Sequence, residues 1–138
     1  MRRVIADTGP LVAYLDKSDR DHEWAKDHFQ RFTDPLLTCE AVIAEALFLL
    51  RRGGIFPEGL LELIRRGILV PDFALAGEIE PILQLMRKYR DIPMSLADAC
   101  LVRMSEIHPA SVVMTLDSDF TIYRKSRRGT IPLMTPGR

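Results

Sequence analysis

No stretch of this chain is apolar for the roughly 18 residues a membrane-crossing helix needs, so no span is expected. The opening "MRRVIADTGP" also lacks the long apolar region of a signal peptide. Cysteine is scarce. Cys39 and Cys100 stand apart in apolar surroundings, which favours reduced core thiols over a disulfide or metal pair, and the cytoplasm as compartment. Histidine is scarce too: His22 and His28 are six positions apart, not on one helical face, and His108 is remote, which argues against zinc. Net charge is missing altogether, with 19 Lys and Arg against 19 Asp and Glu, so nothing draws the whole chain toward nucleic acid or anionic lipid. Repeats, low-complexity segments and linkers are absent as well. At 138 residues and 47% hydrophobic, one domain over 1–138 with a real core is expected.

What is present alternates. "RRVIAD" reads as a short buried strand, broken at "DTGP", where Pro10 suits the first turn of a helix through "LVAYLD". "DRDHEWAKDHFQRF" is helical, "PLLTC" a short strand, and "EAVIAEALFLLRR" a helix closed by Gly53 and Gly54. "PEGLLELIRRG" makes another helix and "ILVPDF" another strand. Leu75, Ile79, Ile82, Leu83, Met86 and Tyr89 mark a longer amphipathic helix that Pro81 either delays or kinks. "SLADACLVRMSEIH" is a helix with Ser95 as N-cap, "SVVMTL" a buried strand, "DSDF" a turn and "IPLM" a last short strand. Short apolar strands alternating with helices predict a parallel sheet covered on both faces, an α/β fold of three layers, α/β/α.

Ligands of such sheets bind at the carboxyl ends of the strands. Asp7 follows the first strand there, and Asp117 and Asp119 follow "VVMTL". Asp98 stands on the helix before that strand. Glu45 sits inside "VIAEALFLL", with Ala41, Val42, Phe48 and Leu49 as its helical neighbours and none able to pair with it. An unpaired buried carboxylate costs several kcal/mol, so Glu45 either reaches solvent or meets a positive group. Each other acid has a structural alternative. Asp98 is placed for a capping box with Ser95; Asp117 and Asp119 suit an Asx turn or a cap; Asp7 suits a strand-to-helix turn. Gathered together they would repel one another, by about 4 kcal/mol for a pair ~4 Å apart at an effective dielectric near 20. That constellation asks for a hard divalent cation such as Mg²⁺ or Mn²⁺.

"VIADTGPLVAYLD", "AVIAEALFLL", "DIPMSLADACLV" and "MTLDSDF" together resemble the four characteristic stretches of PIN-domain ribonucleases, nearest the VapC-type toxins of toxin–antitoxin pairs. The resemblance covers nearly the whole chain, in order. It implies a PIN-like α/β/α fold and an acidic quartet of Asp7, Glu45, Asp98 and Asp117, with Asp119 a further ligand or support. Which of Asp117 and Asp119 touches metal stays open. It also implies Mg²⁺- or Mn²⁺-dependent endonucleolytic cutting of RNA that leaves a 5′-phosphate. A homodimer is implied too, with an antitoxin seated in a groove near the acids and contact with DNA only through that antitoxin. Thr8, Ser95 and Thr115 neighbour the acids and suit hydrogen bonds to them or to bound water. For RNA phosphates the concentrated basic run "YRKSRRG", with Arg124, Lys125, Arg127 and Arg128, is the first candidate, although basic runs are usually solvated surface.

Two rivals read poorly. A haloacid-dehalogenase-like phosphotransferase expects Asp-x-Asp after the first strand, where this chain has Asp7-Thr8-Gly9. A catalytically inactive PIN-like RNA- or protein-binding module does not need clustered carboxylates that repel RNA.

Overall fold

The computed structural model describes residues 2–126 and 128–137. Its centre is a parallel sheet of five short strands. β1 (Arg3–Ala6) lies in the middle, with β2 (Leu36–Thr38) and β3 (Leu69–Pro71) on one side and β4 (Ser111–Met114) on the other. A hairpin of two short antiparallel strands, β5 (Arg124–Lys125) and β6 (Gly129–Thr130), stands apart from the sheet. β7 (Leu133–Met134) then closes the sheet beside β4. Among the described residues six helices flank the sheet: α1 (Thr8–Leu15), α2 (His22–Arg31), α3 (Glu40–Arg52), α4 (Glu58–Arg65), α5 (Ile79–Lys88) and α6 (Leu96–Ile107).

The local reasons are legible. Ile5, Leu36, Leu37, Leu69 and Val113 are buried, because strands covered on both faces read as apolar runs rather than alternations. α5 starts only after a 3-10 turn at Leu75–Glu78, which leaves Pro81 in its first turn, where the missing N–H costs little. α6 buries Ala97, Ala99, Cys100, Leu101, Val102 and Met104, and its small residues let it lie close against β1 and β4.

The strand order fixes where a site belongs. The chain leaves β1 toward β2 and β3, then returns across to β4 on the other side of β1. The gap between β1 and β4 is therefore the topological switch point, and its carboxyl end is the crevice such sheets offer to ligands. Gly9 keeps that end tight: a Cβ there would stand 3.0 Å from Leu116 Cδ1 and 3.2 Å from its Cβ, so the first turn of α1 reaches the chain leaving β4.

Candidate active site

β1 and β4 run in register, Ala6 opposite Met114, and the ladder continues one step as the Asp7 N–H donates to the Met114 carbonyl at 3.0 Å. Asp7 and Thr115 thus emerge side by side. The Thr115 hydroxyl donates to Asp7 Oδ2 at 2.6 Å and accepts from the Asp117 N–H at 2.9 Å, so one hydroxyl ties both strand exits together. Asp7 Oδ1 accepts from the Thr8 N–H at 2.7 Å and caps α1. Asp7 is only 6% exposed. Burial pushes its carboxyl up to about 6, against the pull of the Thr115 and Thr8 hydrogen bonds and with added repulsion from Asp98 and Asp117.

Asp98 arrives from α6. Its capping box with Ser95 is complete: Ser95 Oγ accepts from the Asp98 N–H at 3.0 Å, and Asp98 Oδ2 accepts from the Ser95 N–H at 3.2 Å. The cap fixes the carboxylate rather than removing it from the site. At 8% exposure, burial raises this carboxyl above its ordinary value, and Asp117 raises it further against the hydrogen bonds from Ser95 and Tyr123. Asp117 is half-buried and takes the Asx-turn role, accepting from the Asp119 N–H at 2.9 Å at the head of a 3-10 turn, Ser118–Thr121. Asp119 is half-buried too, near enough to Tyr123 to raise its hydroxyl pKa along with Asp98 and Asp117.

Glu45 takes the solvent alternative. The apolar residues around it suggest an inward face, yet it is exposed, as is Phe48 at 60%. The buried stripe of α3 is Val42, Ala46 and Leu50, continued back through Cys39, and Glu45 lies off it. Its counter-charge problem is met by solvent. No three described His, Cys, Asp or Glu converge closely enough to form a ready-made cage. The described ion pairs all lie elsewhere, on Arg65, Arg103 and His108, so Asp7 and Asp98 face their mutual repulsion without a basic partner among the described residues.

The basic run is folded differently from a free surface patch. Arg124 and Lys125 form β5, and Arg124 turns a guanidinium nitrogen onto the carbonyls of Thr121, Ile122 and Tyr123. Lys125 Nζ donates to the Ser105 and Pro109 carbonyls at 3.5 and 3.2 Å. Arg128 is exposed, and Arg127 lies outside the described residues. Two further features escape the sequence reading. Tyr123 is fully buried and donates its hydroxyl to Asp98 Oδ2 at 3.1 Å; the signal was an aromatic residue four positions after Asp119, between the acids and the basic run. Cys39 and Cys100 are both free and buried, but they are not isolated. Their thiols share a hydrogen bond that holds Cys39 below and Cys100 above the ordinary thiol value.

The PIN-domain family model matches residues 4–126. The chain belongs to the PIN-domain family. All five acids lie within the matched PIN-domain span. A curated relative, Ribonuclease VapC26 of Mycobacterium tuberculosis, is 29% identical over 116 residues, covering 83% of this chain and 86% of that protein. The crystal structure of Mycobacterium tuberculosis VapC20, described as a Sarcin-Ricin loop cleaving toxin, superposes with a TM-score of 0.75 at 21% identity. That superposition covers 86% of this PIN-domain chain and 93% of the other, and supports the α/β/α fold.

Proposed function

We propose that this chain is a divalent-metal-dependent endoribonuclease, the toxin of a toxin–antitoxin pair, that hydrolyses RNA phosphodiester bonds. The reading is carried by the buried acids Asp7 and Asp98, which lack a basic partner among the described residues, at the β1/β4 switch point of a PIN-domain chain. A relative named as a ribonuclease supports it.

The donor set fits Mg²⁺ or Mn²⁺. Magnesium is typically bound by one or two carboxylates and keeps several waters, so a full protein cage is not required. The Thr8 hydroxyl beside Asp7 is buried without a hydrogen-bond partner among the described residues, and suits a water carried by such an ion. Asp7, Asp98 and Asp117 would hold the ion, with Glu45 and Asp119 as the outer acids. Bound there, it would supply an acidified attacking water and positive charge against the phosphate and leaving oxygen. Asp7 would hold the ion as its carboxylate, with the Thr115 hydroxyl fixing it beside Asp117 and Ser95 fixing Asp98. Arg128, with Arg124 and Lys125 released from their carbonyls, would meet RNA phosphates.

The exposed side chains Phe48, Leu49, Phe56 (82%) and Leu61 on α3, α4 and the segment between them suit an apolar segment of a cognate antitoxin. A homodimer, a cytoplasmic location, contact with DNA only through the antitoxin, and a single domain over 1–138 complete the proposal. The test uses purified, partner-free protein and a mixed pool of structured RNAs. Cleavage in Mg²⁺ or Mn²⁺ that stops with chelator and leaves 5′-phosphate ends is expected. Cleavage that persists in chelator would refute the metal role, and no cleavage under any metal would remove the support for a nuclease.

A further inference from the structure

Resting on the metal-site reading above, we propose that Tyr123 is a positioning residue: its buried hydroxyl, donated to Asp98 Oδ2, aims the other oxygen of that carboxylate at the ion. The geometry is specific. Two donors, the Tyr123 hydroxyl at 3.1 Å and the Ser95 N–H at 3.2 Å, converge on Oδ2. Neither bonds to Oδ1, so rotation of the carboxylate would break both contacts. Tyr123 itself has no freedom to follow. It is 0% exposed, with Tyr89 packed edge-on at 5.1 Å and Phe120 at 5.2 Å, and both rings are buried. Tyr89 is held in turn as its hydroxyl accepts from the Arg124 N–H at 2.8 Å, which joins the aromatic pair to the start of the basic hairpin.

Outer partners of metal ligands typically contribute 10- to 100-fold in metal affinity or activity. Tyr123→Phe keeps the ring and deletes only the hydroxyl. The experiment measures Mn²⁺ affinity by calorimetry, kcat and KM for RNA, and the melting temperature, in wild type, Tyr123→Phe and Tyr89→Phe. Tyr123→Phe is expected to lose roughly 10- to 100-fold in Mn²⁺ affinity and in kcat, with KM for RNA little changed. Tyr89→Phe, which leaves Asp98 untouched, should keep the wild-type Mn²⁺ affinity. Equal Mn²⁺ affinity in wild type and Tyr123→Phe overturns the positioning role while the metal site stands. Equal losses in both variants overturn it, because the effect would then not be specific to the hydroxyl that meets Asp98. Wild type that binds no Mn²⁺ sinks the metal reading itself and the role with it. If Tyr123→Phe does not fold, the wild type carries the test by NMR: Mg²⁺ must shift the Tyr123 resonances, and unmoved resonances overturn the role.

Discussion

Asp7→Asn is expected to make the metal-free protein more stable at neutral pH while abolishing RNA cleavage. The two effects share one cause. Burial lifts the Asp7 carboxyl from 3.8 to about 6, so the folded chain binds that proton more tightly than the unfolded chain does. Stability from this group is therefore full below about pH 4 and falls as pH rises through 6, because over that window the folded state holds more protons. The difference is worth up to about 3 kcal/mol above pH 6. Asparagine is of similar size, accepts from the Thr8 N–H and donates to Thr115, yet carries no charge to desolvate. Thermal or urea unfolding of both proteins in chelator, from pH 4 to 8, checks this. Wild type should lose more stability across pH 4 to 6 than Asp7→Asn, in which the raised carboxyl of Asp98 remains; parallel curves would show that Asp7 is not held at a cost.

Asp98→Asn is expected to reduce cleavage roughly a thousandfold without loss of fold. Metal-based charge stabilisation is worth several kcal/mol in the transition state, and losing about 4 kcal/mol is roughly a thousandfold in rate. The fold survives because an asparagine oxygen still accepts from the Ser95 N–H and the Tyr123 hydroxyl. Asp98→Ala separates the two roles. It loses the capping box and orphans a buried phenol, which adds a stability loss of about 1–3 kcal/mol. Single-turnover cleavage and melting curves on the same samples decide it. Asp98→Asn at wild-type rate would remove Asp98 from the site.

Much of this arrangement is legible in the sequence, and the misses have physical causes. Asp7 and Asp117 end apolar runs, and the end of a parallel strand is where a polar residue has functional reach. Ser95 and Asp98 carry their own spacing signal, and Pro81 correctly marks a late start to α5. The apolar neighbours of Glu45 do not reveal which way its helix face turns. Phe48 and Leu49 beside it are exposed. The β5–β6 hairpin leaves no trace because its strands are only two residues each and carry no alternating apolar pattern. The Tyr123–Asp98 and Cys39–Cys100 contacts join residues far apart in the chain, and only the sheet order brings them together.

On the proposed function, Asp7 and its neighbours form a cation site. Calorimetric titration of Mn²⁺ into wild type and Asp7→Asn at pH 6, repeated in two buffers of different ionisation enthalpy, tests it most directly. With burial pushing the Asp7 carboxyl up to about 6, wild type should bind Mn²⁺ and release protons, with about half a proton per ion from Asp7. Asp7→Asn should bind far more weakly and release fewer protons per ion. Mn²⁺ binding that is identical in the two proteins, or absent from wild type, would contradict the account.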